Sequence, residues 1–367
     1  MRRTTRSLII NAVLFWIVLF LILYVNHDRG STTKTFAWSR IHYKTSSTAL
    51  PEPRGSCPGL EDNSKPALVV ARVGAEDRSW LDSLAAFYHL CVYRTDLQDV
   101  TSWHLQVPAN RGHEAMAYLT FLIDNYERLP AAGAVFVHGS RWAWHNDAPD
   151  YDNAALLATL NVSAALAPFG YHNLRCDWSA STCSPAETPA QGSLETLTRS
   201  VLEPWNLRLV SDRALPRAIV DLFGGDGADE GRGSAQLFLG RTDAIRSQCC
   251  AQFVVSRERM RQHSRDEYIA LRQWLLDEGE RAAPPDDRIA GRILSYIWHI
   301  LFMPQGGSAH VDLNQLNLLA CPPANECYCR LYGRCNLDGC LTPGHCRGQY
   351  VLPPDFRLPD DWAVRHS

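Results

Sequence analysis

Apolar positions along this chain fall into three kinds of run. The first, Leu8–Val25 (LIINAVLFWIVLFLILYV), is interrupted only at Asn11. As a helix rising 1.5 Å per residue it spans roughly 27 Å, about one hydrocarbon core. The second kind is short and lacks a polar face. Ala67–Val73 (ALVVARV), Ala134–Val137 and Cys249–Val255 (CCAQFVV) read as buried strands, with Cys91–Tyr93 and His104–Val107 as further strands. The third kind has helical spacing. Gly112–Tyr126 sets Ala115, Tyr118, Leu119, Leu122 and Ile123 on one face. Asn153–Pro168 and Arg257–Leu276 repeat that spacing, Ile289–Phe302 is an apolar helix, and Leu215–Phe223 a shorter one. Ser79 and Ser256 precede helical segments as caps. Strands alternating with helices predict an α/β domain with a mostly parallel central sheet covered on both faces.

The flanks of these runs divide the chain. Arg2, Arg3 and Arg6 precede the first run, and no small-residue cleavage site follows it. This predicts an uncleaved signal anchor with its short basic side in the cytosol. The expected organisation is a cytosolic tip and transmembrane helix at 1–25, a flexible stem at 26–65, an α/β domain at 66–303, and a linker with a cysteine-rich tail at 304–367. Such a chain is a single-pass type II membrane protein of the secretory pathway, in the Golgi or endoplasmic reticulum. The twelve cysteines agree with an oxidising compartment. Six of them lie in Cys321–Cys346, where paired zinc-ligand spacing is absent and a three-disulfide knot is expected. Cys176 and Cys183 read as closing a small loop, and Asn161-Val-Ser163 as an N-glycosylation acceptor. The net charge of -3 gives no footprint for nucleic acid. Residues 224–233 (GGDGADEGRG) are glycine-rich but lack the lysine of a phosphate-binding loop.

Candidate chemistry gathers after the strand Ala134–Val137, in VFVHGSRWAWHNDAPDYDN (residues 135–153). Ligand sites of open α/β sheets lie beyond the carboxyl ends of strands. His138 and Asp147 are candidate catalytic residues there, and Trp144 a candidate binding wall. Asp150 and Asp152 stand two apart, so in an extended segment both carboxylates point the same way. The pair suits a divalent cation, manganese or magnesium, bridging a nucleotide diphosphate. It equally suits the cap of the following helix. Glu114 opens a helix, as a base or a sugar-hydroxyl ligand. Arg111 suits a diphosphate or a carboxylate. Glu76 and Asp77 follow the first strand, where base or ribose contacts fall, and Asp77 also suits a helix start. His299 on its apolar helix reads as a buried histidine as readily as a catalytic one.

Several segments together carry a resemblance. They are Val69–Leu81 (VVARVGAEDRSWL), Asn110–Tyr118 (NRGHEAMAY), Leu122–Pro130 (LIDNYERLP), Val135–Gly139 (VFVHG), Cys249–Arg259 (CCAQFVVSRER) and Gly291–Phe302 (GRILSYIWHILF). In this order they resemble a fungal family, domain of unknown function 3431, over about residues 66–303. That family looks distantly similar to GT-A-type glycosyltransferases, which implies a single GT-A-like, Rossmann-like domain. The chain departs from the family pattern at His113, where arginine is usual, and at Ser295, where glutamate is usual. A serine hydroxyl is a poor general base near neutral pH. The expected function is a lumenal glycosyltransferase-like protein moving a sugar from a nucleotide-sugar donor to a glycan, protein or lipid acceptor. The alternative is a non-catalytic carbohydrate-binding or assembly protein on a degenerate fold of the same kind. A cell-wall glycan hydrolase is a third reading, requiring two convergent carboxylates.

Overall fold

The computed structural model describes residues 2–26, 35–97, 99, 102–224, 237–304 and 310–350. Its strands are β1 (Thr35–Phe36), β2 (Ala67–Arg72), β3 (His89–Arg94), β4 (Leu105–Gln106), β5 (Ala134–His138), β6 (Tyr171–Asn173), β7 (Phe253–Val255) and β8 (Val311–Asp312). Its helices are α1 (Arg2–Asn26), α2 (Glu114–Asp124), α3 (Asn153–Thr159), α4 (Val162–Leu166), α5 (Leu194–Leu202), α6 (Leu207–Phe223), α7 (Arg257–Met260), α8 (Arg265–Leu276), α9 (Asp287–Ser295), α10 (Trp298–Phe302), α11 (Leu313–Ala320) and α12 (Ala324–Tyr332). Of the glycine-rich segment 224–233, all but Gly224 lies outside the described residues.

A six-stranded sheet in the order β4-β3-β2-β5-β7-β6 forms the centre. The period of two along each strand sorts its side chains to opposite faces. Ala67, Val69 and Ala71 of β2, Ala134 and Phe136 of β5, and Phe253 and Val255 of β7 join one apolar layer with α2, α8, α9 and α10. Leu68, Val70, Val135, Val137 and Val254 face the other layer, with the 3-10 segment Ser79–Ala86, α3 and α12. Both faces are covered, as the patternless apolar strands require.

The expected mostly parallel sheet is corrected to a mixed one. β2 runs parallel to β3 and β5, and β3 parallel to β4. β7 runs antiparallel to both β5 and β6. A strand buried on both faces has the same apolar pattern whichever way it runs, so direction was not encoded in the runs.

The expected membrane anchor is corrected as well. The first apolar run forms the single helix α1. A span needs about 20 apolar residues, and among the described residues no helix is long and apolar enough to cross a membrane. The transmembrane helix, the type II topology and the Golgi or endoplasmic-reticulum membrane location therefore fall together.

Residues 35–65 differ from a flexible stem. β1 pairs with β8, and Phe36 and Trp38 are buried with stacked rings, 4.2 Å between centroids. The Tyr43 hydroxyl donates to Asp277 Oδ2 at 2.9 Å, and Ser46 N donates to the same oxygen. A disulfide joins Cys57 to Cys91 in β3. Closing a loop of 34 residues stabilises by about 2–4 kcal/mol, chiefly by restricting the unfolded chain. Cys57→Ser with Cys91→Ser is expected to lower the free energy of unfolding by that amount in urea titration. An unchanged midpoint would show that this segment packs without its staple.

The cysteine-rich tail is not a self-contained knot, and Cys176 does not bond Cys183. Cys176 pairs with Cys327 and Cys183 with Cys321, stitching α12 and its approach to the segment after β6. Only Cys329–Cys335 and Cys340–Cys346 are local to the tail. Cys249–Cys250 completes the set. Three helices expected as continuous are also broken, and side chains restart two of them. The Asn161 side chain caps α4, and Ser264 with Glu267 forms a capping box at α8. The third break, Tyr296–Ile297, separates α9 from α10.

His172 and His299 are two of the histidines buried in the core. Burial, with Arg330 adding to it, pushes His172 from its ordinary 6.5 down to about 4, and burial alone pushes His299 down to about 3. The unfolded chain therefore binds protons that the folded chain refuses. Their stabilising contribution is intact above pH 6.5 and is lost as pH falls toward these values, about 2 kcal/mol each by pH 5. Urea titrations at pH 7.5 and pH 5 check this. Equal stabilities would mean that water reaches both rings.

Candidate functional site

The strand order reverses between β2 and β5, because β3 and β4 build outward on one side and β5 returns to the other. Open α/β sheets bind ligands at such a point, outside the carboxyl ends of the strands. β5 ends there with His138. Antiparallel β7 brings its amino-terminal approach, Cys249 and Cys250, to the same edge.

α2 adds Glu114 in its first turn, and the turn before it is tightly held. Gly112 and His113 both have positive φ, 73° and 53°. Arg111 donates to the carbonyls of Leu275, Pro284 and Pro285 and to Asp287 Oδ1, and Asp287 also accepts from Gly112 N. A Cβ on Gly291 of α9 would lie 2.7 Å from the His113 ring. Glycine there lets α9 approach α2.

These elements enclose a cleft of about 340 Å³. Glu114, His138, Trp144 and His145 line it together with His113, the bonded Cys249–Cys250 pair, Arg288, Arg292 and Ser295. The His138 Nε2 atom is 2.6 Å from the Cys250 carbonyl oxygen. A carbonyl only accepts, so Nε2 carries the ring hydrogen in the neutral state. Nδ1 is then the basic atom, and it lies 3.8 Å from Glu114 Oε2. A proton taken up at Nδ1 meets a carboxylate.

His145 lies against His138 with ring centroids 4.4 Å apart. Burial, then the His138 and Arg175 charges, lower it to about 3. Its Nε2 atom is buried without a hydrogen-bond partner among the described residues. His145 therefore stays neutral at physiological pH. Trp144 is 62% exposed, so its ring face is open to a ligand. Arg288 is held by Asp286 through Nε and Nη2, at 3.1 and 2.8 Å, and Arg292 lies exposed one turn further along α9.

Of the residues singled out in the sequence, the cleft gathers Glu114, His138, Trp144, His113 and Ser295. The others lie elsewhere. Arg111 clamps the 284–287 loop, as above. Glu76 accepts from Val73 N, and Asp77 accepts from the backbone and hydroxyl of Ser79. Asp147 is 1% exposed and accepts from Cys176 N, Asp177 N and the hydroxyls of Tyr328 and Tyr350. Asp152 caps α3 and takes Arg141 on both oxygens, at 2.8 and 2.7 Å. Asp150 accepts from Asp152 N. Arg288 and Arg292 also line the cleft and are not among the candidates marked by the sequence motifs. Their spacing of four on one helix face, with Gly291 between them, was the available signal.

A metal has a different candidate group. Cys57, His89 and Cys91 offer ligand atoms all within 4.8 Å of one another. Here the two sulfurs are bonded to each other, and the His89 nitrogens meet Asn63 Nδ2 and the Pro58 carbonyl. Holding a metal requires the reduced thiolates.

No curated protein and no solved structure matches the chain. A family described as protein of unknown function (DUF3431) matches residues 68–330, which takes in the six-stranded sheet apart from Ala67, the cleft and α12 through Arg330. That match covers well over half of the sequence, and the chain belongs to the DUF3431 family.

Proposed function

We propose that the cleft binds a nucleotide sugar and transfers its sugar to an acceptor hydroxyl. One observation carries this reading: a histidine–glutamate pair, an open tryptophan face and two arginines share a single cleft at the sheet's switch point. An exposed indole stacks on the apolar face of a sugar ring. Arg288 and Arg292 suit a diphosphate, whose charge grows as the sugar departs. The acceptor hydroxyl attacks the anomeric carbon, its proton passes to His138 Nδ1, and Glu114 stabilises the imidazolium. The bond to the diphosphate breaks, and the diphosphate leaves with the electron pair. Ser295 does not hold the base role in this scheme; its hydroxyl donates to the Arg292 carbonyl at 2.6 Å.

A divalent ion at Asp150 and Asp152 does not fit. The Arg141 guanidinium occupies both Asp152 oxygens, where the cation would sit. An ion in this reaction requires other donors. The hydrolase reading loses support because Glu114 is the one carboxylate among the described lining residues, where two are needed.

A mass-spectrometric screen of UDP-, GDP- and CDP-sugars tests the proposal. Release of the nucleoside diphosphate by the folded chain, in water or with an acceptor, is the expected result. A donor that binds without release selects the non-catalytic carbohydrate-binding alternative, which the serine at position 295 favours.

A further inference from the structure

The bond between Cys249 and Cys250 differs in kind from the other five. Those close separations of 6 to 151 residues, whereas this one joins neighbours. Disulfides stabilise chiefly by closing loops of the unfolded chain, and a bridge between adjacent residues closes almost none. Stability therefore gives little reason for it.

Its surroundings give another reason. Cys250 and Ala251 both have positive φ, 84° and 48°. For residues with a Cβ the left-handed region costs about 1–2 kcal/mol each, and it persists where neighbouring structure over-determines it. Within this backbone the Cys250 carbonyl oxygen lies 2.6 Å from His138 Nε2. The other groups facing His138 are Glu114 from α2 and His145 from the loop after β5, with His113, Arg288 and Arg292 in the same cleft. Among the described residues, the Cys250 carbonyl is the acceptor that fixes which ring nitrogen carries the hydrogen.

We propose that the Cys249–Cys250 bridge is a positioning device: it holds the Cys250 carbonyl on His138 Nε2 and so reserves Nδ1, beside Glu114, for the incoming proton. The assignment of Nδ1 as the reacting atom rests on the transfer reading above. The hold on the tautomer does not.

Nitrogen-15 NMR of the imidazoles reads the tautomer directly. In the intact protein His138 is expected as a single Nε2–H form. In Cys249→Ser with Cys250→Ser, that single signature is expected to be lost, with Nδ1–H and Nε2–H forms both populated and the overall fold retained. A second variant, Cys249→Ser with Cys250→Gly, removes the bridge while glycine tolerates the positive φ, and the same loss is expected. A wild-type Nδ1–H form, or a single Nε2–H form surviving in both variants, overturns the proposal. Unfolding of both variants also overturns it, because the bridge would then be a folding element. A tautomer lost in the variants, with no donor turned over by any form, upholds the positioning and removes the transfer reading instead.

Discussion

Replacing His138 by alanine is expected to lower sugar transfer, or donor hydrolysis, by about 100- to 10,000-fold, the usual contribution of a positioned general base. Nδ1 is the ring atom left to take the proton, because Nε2 is engaged by the Cys250 carbonyl. The loss should fall on kcat, with KM little changed, since the base acts only as the hydroxyl attacks. Glu114→Gln keeps the shape but removes the charge 3.8 Å from Nδ1. It should cost less than His138→Ala, and combining the two should add little to the histidine variant alone. Steady-state kinetics on the donor found in the screen decide this. Half the activity remaining in His138→Ala would remove histidine from the chemistry.

Asp147→Ala is expected to destabilise the fold by about 4 kcal/mol, without Asp147 touching the cleft at all. The carboxylate accepts from two backbone amides of the segment after β6, at 2.6 and 3.2 Å. It also accepts from Tyr328 of α12 at 2.9 Å and from Tyr350 at 2.6 Å. Burial and the neighbouring Asp147 charge push both phenols well above their ordinary range, so both stay protonated and donate. Removing the acceptor leaves four donors facing a cavity. Asp147→Asn keeps an acceptor oxygen in place and should cost less. Urea titration of the two variants checks the order, and a loss under about 1 kcal/mol for alanine would show that water replaces the carboxylate.

Asp147 also marks where reading the sequence succeeds and where it stops. Its position just beyond β5 made it a candidate for catalysis, as it did His138. Sequence distance from the strand end is the same kind of signal for both. What separates them is the tail, whose α12 arrives from 181 residues away to cover Asp147 with Tyr328. No local pattern reports such a contact. Strands β2, β5 and β7 were legible because apolar residues buried on both faces leave unbroken runs. The reversal of β7 was not, because those runs carry no direction. Asp152 offered two readings, and its cap on α3 with the Arg141 pair fills the carboxylate. Local chemistry of that sort can be read from spacing. Disulfide partners cannot: Cys176 lies seven residues from Cys183, yet each bonds a cysteine more than 130 residues away.

The central claim is that the cleft beside His138 holds a nucleotide sugar, and calorimetric titration of the folded chain with UDP-, GDP- and CDP-sugars tests it most directly. Binding of at least one donor is predicted without added manganese, because the proposed reading gives the diphosphate to Arg288 and Arg292, which line the cleft. Arg292→Ala should weaken that binding about tenfold, or 1.4 kcal/mol, while leaving the unfolding midpoint unchanged. Absence of heat from every donor, with and without manganese, or binding untouched by Arg292→Ala, would contradict the account.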